Sequence, residues 1–426
     1  MRRLEYSQLG ENCYFEQLEN GLGIFVVSKP GYAKTMAMLA VSYGGMDAVF
    51  SQGRERRETP EGIAHYLEHK MFDMREGNAL TLLSSAGASV NAFTAKDITA
   101  YHFTCTSRFE ENLRVLLRFV TTPYFTPESV EKERGIIAQE IRMYRDNPGH
   151  RVYENLLGNL YAVHPLRRSI LGTEASIGQI TDETLLHCHQ AFYRMDNMVL
   201  VVVGDTDPRL VRDTALLFTG REESAGAVRD FGADEPAEAP RRSIREEMDV
   251  PEPTFLLGCK AEPFPLGEEG FCRRLLAAVA AELLCGEGSE LYDRLYRDGL
   301  IHSDFSAACI DYPGAAFLAL GGDSPDPDAV AEAVLQEAAR ISAQGVDEAR
   351  FRRVLRSAYG ESVRSLNSFE TICSEMVRGW FSGYNYYDFP RLYATLTAQK
   401  AAAFLAETVQ AGRSCLSVVV PKGGSL

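Results

Sequence analysis

The sequence predicts two homologous α+β domains in tandem. Its 426 residues exceed what one hydrophobic core usually supports. Runs of strand-like pattern lie beside runs of helical periodicity rather than alternating with them one by one. The order of a helix followed by a continuous apolar run also occurs twice, with 182–193 preceding MVLVVVG at 198–204 and 398–410 preceding the run at 415–420. Matching Val201 to Val418 sets an offset of 217 residues. The same offset carries the helical pattern at 64–67 onto 281–284 and that at 130–141 onto 347–358, both of them amphipathic.

Within the first copy, apolar patterns place strands at 22–29 and 36–43. Thr59-Pro60-Glu61 then reads as a helix start: a hydroxyl to cap, a proline where no amide donor is missed, and an acid at the positive end of the dipole. Alternating Ser89, Asn91 and Phe93 lead through a Lys96-Asp97 turn into the β-branched and aromatic run at 98–106, a hairpin pattern. Helices and the strand at 198–204 complete the copy. From 219 to 253 the chain turns charged, Gly/Ala/Pro-rich and poor in large apolar residues, the composition of an exposed connector. The expected division is an N-terminal domain at 1–218, a linker at 219–253 and a C-terminal domain at 254–426.

Composition narrows the function. Apolar residues at 45% and charged residues at 24% are those of a folded globular chain. A formal charge of -15 repels nucleic-acid phosphates and anionic lipid, so neither partner is expected. No run approaches 18 apolar residues, and the first residues (MRRLEYSQLGENCYFEQL) show neither a signal core nor a transit composition, so a cytoplasmic location is expected. Nine scattered cysteines with no CxxC pair indicate idle thiols rather than disulfides or a cysteine zinc site.

The chemistry sits at His65-Tyr66-Leu67-Glu68-His69. On a helix, positions i, i+3 and i+4 share a face, so both imidazoles and the Glu68 carboxylate project to one point. Two neutral imidazoles suit zinc, and a nearby carboxylate that does not ligate can accept a proton from activated water. With 8 histidines and 59 acids in the chain, an H-x-x-acid-H pattern arises by chance roughly 0.02 times per chain. A catalytic zinc needs a third protein donor. A second helix, started by Thr126-Pro127-Glu128, carries Glu133 and Glu140 seven residues apart and nearly on one face, so that one can bind metal and the other support it.

Three segments, GIAHYLEH at 62–69, GASVNAFTAKDITAYHF at 87–103 and VEKERGIIAQEIRMYRDNP at 130–148, resemble the motifs of the pitrilysin-like inverzincin metallopeptidases, the family of insulin-degrading enzyme and the mitochondrial processing peptidase. The resemblance covers nearly the whole chain. It is nearest to bacterial members associated with aminopentanol modification of elongation factor P. It implies a Zn2+ endopeptidase with His65, His69 and Glu140 as ligands, Glu68 as general base and Glu133 as the carboxylate behind a ligand. The strand Ser89, Val90, Asn91, Ala92, Phe93 and Thr94 is the implied edge on which an extended peptide pairs. It also implies a clamshell chamber of two such chains, a homodimer or a heterodimer with a paralogous zinc-free chain. The other reading is a catalytically inactive peptide-binding or scaffold subunit of such a heterodimer, linked to a modification pathway.

Two departures accompany the likeness. Relatives carry an Arg and a Tyr on the strand equivalent to 310–320, where this chain reads IDYPGAAFLAL and has no arginine between Arg297 and Arg340. A different subunit is one source of that pair. In the second copy, 64–69 corresponds to Ala281, Glu282, Leu283, Leu284, Cys285 and Gly286, so the ligands are lost. Elsewhere, His187 and His189 face different directions on their helix, Arg54, Arg56 and Arg57 read as an exposed loop, and the aromatic run at 381–389 reads as core or interface packing.

Overall fold

The computed structural model describes residues 1–218 and 226–423. Its strands are β1 (Arg2–Tyr6), β2 (Glu11–Gln17), β3 (Gly23–Ser28), β4 (Thr35–Val41), β5 (Val49–Gln52), β6 (Glu55–Glu58), β7 (Asp73–Met74), β8 (Gly77–Asn78), β9 (Ser89–Thr94), β10 (Thr99–Cys105), β11 (Met198–Gly204), β12 (Ala227–Arg229), β13 (Ser243–Met248), β14 (Thr254–Ala261), β15 (Ser306–Tyr312), β16 (Ala315–Asp323) and β17 (Ser414–Pro421). They form two main sheets. The first runs β1-β2-β3-β11-β4-β10-β9 and the second β13-β17-β14-β16-β15.

The last five strands of the first sheet, in spatial order, reappear as the five of the second, each with one parallel pair (β3/β11 and β13/β17) among antiparallel neighbours. The 217-residue offset holds at the level of single residues: Val201↔Met38 becomes Val418↔Phe255, and Thr99↔Thr94 becomes Ala316↔Asp311. Two pairings have slipped by three residues, since Gly258 meets Ala319 where the offset calls for Ala316, and Leu416 meets Ser243 where it calls for Pro240.

In the first unit β4 and β11 are buried along their whole length, as continuous apolar strands must be. One face, with Ile24, Val26, Leu39, Val41, Leu200 and Val202, joins a core completed by the helices Ile63–Met71, Phe109–Thr121 and Asp182–Phe192. The other face of β4 and β11 is covered by the helix Phe369–Ser382. Its Trp380 ring lies 5.8 Å from both Phe15 and Phe25. A Cβ at Gly23 would sit 2.9 Å from that ring, so glycine is required for the approach.

The compact units are therefore not continuous in sequence. The first comprises 1–141, 169–231 and 363–387, and the second 142–168, 232–362 and 388–426. A division at 218 and 253 misses this exchange because the helix Phe369–Ser382 serves the first unit's sheet and the helix Pro148–Leu160 the second's. An amphipathic face does not state which sheet it will cover. The stretch expected as a bare connector also carries two strands: β12 pairs with β5, and β13 forms the parallel edge beside β17. Their polar composition suits strands at sheet margins. Arg56 and Arg57, expected in a loop, lie in β6, and the expected single strand at 310–320 is the β15–β16 hairpin. The pair β1–β2 at the rim of the first sheet lacked a continuous apolar signal. Its Tyr6 stacks on Tyr387 at 4.5 Å, so the aromatic run packs inside the first unit there.

Glu235 anchors the 162–164 segment into the second unit. Its carboxylate accepts the backbone N–H groups of Ala162, Val163 and His164 at 2.8, 2.7 and 2.8 Å and the Lys260 ammonium at 2.6 Å. Burial alone would raise its pKa, but the backbone donors and Lys260 together lower it from 4.5 to about 2. A carboxyl depressed by folding contributes stability that is complete above its unfolded pKa and is lost as the pH falls toward the folded one. Glu235→Gln is expected to cost about 3 kcal/mol at neutral pH, with the difference from wild type vanishing toward about pH 2. Urea melts across that range check both the size and the direction.

Candidate active site

Each candidate side chain sits on an element of the first unit. The helix Ile63–Met71 opens at Gly62, whose φ of 92° is left-handed, and no side chain caps it. The expected cap does not form. Thr59 Oγ1 donates instead to the Ala48 carbonyl at 3.0 Å, which ties the approach to the helix rather than its first turn. The acidic helix Pro127–Arg145 does start as expected, with Thr126 Oγ1 accepting from Ser129 N at 3.2 Å.

Two side chains dock the first helix on the start of the second. Tyr66 OH donates to the Val130 carbonyl, and Lys70 Nζ donates to the Ser129 carbonyl at 3.2 Å while pairing with Asp73. Lys70 is 1% exposed, so its charge requires these partners. The docking turns His65 and His69 toward the body of the acidic helix. His65 Nε2 lies 3.7 Å and His69 Nε2 3.6 Å from Glu140 Oε2, and one donor atom from each of the three falls within 4.8 Å of the others. Among the described residues this is the one group of three or more His, Cys, Asp or Glu side chains so arranged.

The surroundings suit a cation. Burial, with His69 nearby, pulls the His65 pKa down to about 3, so this imidazole is neutral and offers a lone pair. Burial also opposes charge on His69, but the Glu133 carboxylate, 2.9 Å from Nδ1, and the charges of Glu68 and Glu140 outweigh it and raise its pKa. The same bond lowers the pKa of Glu133. Glu133 thus fixes Nδ1 as the protonated nitrogen and leaves Nε2 for a ligand. His65 Nδ1 is buried without a hydrogen-bond partner. Glu68 is 7% exposed, and burial raises its pKa against the opposing Thr94 hydroxyl, which donates to Oε2 at 2.8 Å. Two imidazoles, one carboxylate ligand and one further carboxylate form a donor set suited to zinc with a base beside it.

β9 closes the sheet beside this cluster. It pairs with β10 on one side, and no strand lies on its other side among the described residues. Ser89 and Asn91 are exposed, while Val90, Ala92, Phe93 and Thr94 are partly buried.

The comparisons with known proteins bear on this geometry. Residues 53–174 match the model described as Insulinase (Peptidase family M16), and residues 179–358 match the Peptidase M16 inactive domain. An uncharacterized zinc protease of Bacillus subtilis (strain 168), YmfH, is 36% identical over 99% of this chain and 100% of its own length. The chain belongs to peptidase family M16. A crystal structure of an M16-like peptidase from Alicyclobacillus acidocaldarius is 31% identical, with a TM-score of 0.92 over 97% of this chain and 99% of that one. Pitrilysin, at 18% identity and a TM-score of 0.79, shares the fold, and its match covers 99% of this chain but 46% of pitrilysin.

The M16 fold of this chain brings His65, Glu68, His69, Glu133, Glu140 and Thr94 together. It sets Ser89 through Phe93 along the adjoining edge without a side-chain contact to the cluster among their hydrogen bonds. His187 is exposed beside Arg57, and His189 is buried with Nε2 3.1 Å from the Val120 carbonyl, so the two do face apart. A cysteine nucleophile is disfavoured, because burial pushes the Cys13, Cys188 and Cys259 thiols up to about 12. Tyr66 and Lys70 escaped the sequence reading. The available signal was a lysine directly after the second histidine on a helix whose other positions are nearly all buried.

Gly62 carries a testable requirement. Besides its left-handed φ, a Cβ there would lie 2.5 Å from the Leu171 carbonyl oxygen. Gly62→Ala is expected to destabilise the first unit by about 2 kcal/mol or more. Thermal unfolding of the purified variant measures this, and an unchanged melting profile would show that the entry to the histidine helix is not constrained.

Proposed function

We propose that this M16 chain is a zinc-dependent endopeptidase that hydrolyses extended oligopeptides, and that it works as half of a clamshell chamber completed by a second subunit. The carrying observation is the convergence of His65, His69 and Glu140 with the Glu68 carboxylate alongside. In this reading His65, His69 and Glu140 hold the ion and Glu133 orients His69. Zinc held there supplies a Lewis acid that acidifies water and polarises a carbonyl oxygen. Glu68 takes the proton from the attacking water and returns it to the departing amine, a task for which a carboxyl with a raised pKa is suited. The peptide adds as a strand to the open side of β9, so that main-chain hydrogen bonds from Ser89 through Thr94 hold it while the scissile bond approaches the three ligands.

The relatives named zinc proteases support the metal and the reaction class. The chain's match to about half of pitrilysin supports a second subunit, either another copy or a zinc-free paralogue. The strand expected to bear a substrate-holding arginine, β15, carries Asp311 and Tyr312, which is consistent with that arginine coming from the partner. No described helix is long and apolar enough to cross a membrane, and the nine free cysteines support the proposed cytoplasmic location. A link to elongation factor P modification rests on the resemblance alone and forms no part of this reading.

A quenched-peptide library incubated with the purified chain should be cleaved, and both chelation and Glu68→Gln should abolish cleavage. Cleavage that survives both would overturn the mechanism, whereas zinc bound at one per chain with every peptide intact would favour a scaffold. The native mass decides whether a second copy is the partner. Separately, Glu133→Gln is expected to weaken zinc binding by about tenfold to a hundredfold, measured by competition with a chromophoric chelator, with the fold retained.

A further inference from the structure

We propose that Thr94 is a positioning residue for Glu68, holding one carboxylate oxygen so that the other is presented to the reacting water. This rests on the peptidase reading above and changes the role of Thr94 within it, from one more rung of a peptide-pairing edge to the support of the base. Alternation along β9 separates the two roles. Val90, Ala92 and Thr94 stand opposite Phe103, Tyr101 and Thr99 of β10, and Tyr101 and Phe103 belong to the core that the histidine helix packs against. Thr94 therefore points to the helix, and its Oγ1 reaches Glu68 Oε2 at 2.8 Å. No other protein hydrogen bond to Glu68 is made among the described residues.

The support is rigid. Thr94 is the last residue of β9, and the turn after it is closed by Ala95 N donating to the Ile98 carbonyl at 2.7 Å. Gly45 N and Met46 N donate to the Ala95 and Lys96 carbonyls at 3.0 and 2.8 Å. A Cβ at Gly44 would fall 2.6 Å from the backbone of that turn, so the two segments are in close apposition. Thr99 Oγ1 lies 3.5 Å from Thr94 Oγ1 but donates to the Tyr43 carbonyl at 2.8 Å. Its one proton is committed there, and Thr94 is left as the donor to Glu68. A β-branched side chain has few rotamers to lose, whereas a glutamate has three torsions to fix, so the hydrogen bond orders the base at low cost. One strand would then both receive the peptide and hold the base that acts on it.

The experiment uses the full zinc-loaded chain, a fluorogenic peptide, and the variants Thr94→Val, Thr94→Ser, Glu68→Gln and the Glu68→Gln/Thr94→Val pair. Thr94→Val keeps the shape and removes the donor. It should lose about tenfold to a hundredfold in kcat, with KM within about twofold and zinc content unchanged, while Thr94→Ser restores most of the rate. In the Glu68→Gln background, where cleavage is abolished, Thr94→Val should shift peptide affinity by no more than about twofold, because its hydroxyl serves the base and not the peptide. Thr94→Val with wild-type turnover, or a loss confined to peptide affinity in either background, would overturn the proposal. Wild-type turnover abolished by Glu68→Gln leaves the peptidase reading standing whatever Thr94 does. A wild-type chain that cleaves nothing sinks that reading, and the positioning role with it.

Discussion

The site depends on one docking interaction, the seating of the histidine helix on the first turns of the acidic helix through Tyr66 and Lys70. Residues 66 and 70 are one turn apart, as are 65 and 69, and the two pairs are offset by about 100° around the helix. With Tyr66 and Lys70 spent on the Val130 and Ser129 carbonyls, His65 and His69 can face only farther along the same partner helix, where Glu133 and Glu140 stand. A rotation that freed either contact would strand a buried ammonium or a buried hydroxyl. The geometry of three convergent donors is therefore set by ordinary backbone hydrogen bonds.

The sheet brings the edge strand to the same place. β4 and β11 are apolar on both faces and must lie inside, so the hairpin β9–β10 joins beside β4 and leaves β9 at the margin. An edge is normally a liability to be covered or blunted. Here it adjoins the one cluster of three or more His, Cys, Asp or Glu side chains among the described residues that could hold a metal ion, with Thr94 bonded to Glu68 at its end.

Much of this was legible in the sequence, for identifiable reasons. The i, i+3, i+4 spacing of His65, Glu68 and His69 and the seven-residue spacing of Glu133 and Glu140 are local properties of helices, and local spacing survives folding. The two continuous apolar runs marked β11 and β17, from which the repeat followed. What failed was non-local or masked. Gly62 replaced Thr59 as the helix entry because its backbone must pass against Leu171, a contact far off in sequence. The strands β1, β2, β12 and β13 sit at sheet margins, where one side is polar and the apolar alternation is weak. The exchange of the helices Pro148–Leu160 and Phe369–Ser382 between units could not be read from their own faces, since both sheets offer similar apolar surfaces.

The second unit shows what the same scaffold becomes without the site. On its helix Glu268–Cys285, Glu282 stands where the first unit holds His65, a buried Cys285 where it holds Glu68, and Gly286 where it holds His69. The Glu282 carboxyl occupies the space that a side chain at 286 would take. Burial raises its pKa, and the nearby charge of Arg350, from the helix Glu348–Ser365, partly offsets this. Arg350 also donates to the Leu283 carbonyl, so a guanidinium on the facing helix supplies positive charge to this region. The first unit, by contrast, buries a neutral imidazole with an unpartnered Nδ1 and a carboxylate with a single hydrogen bond, an arrangement that folding alone does not favour. Two copies of one fold, one without the paired imidazoles and one retaining them beside a buried carboxylate at a cost, locate the functional constraint in the first copy.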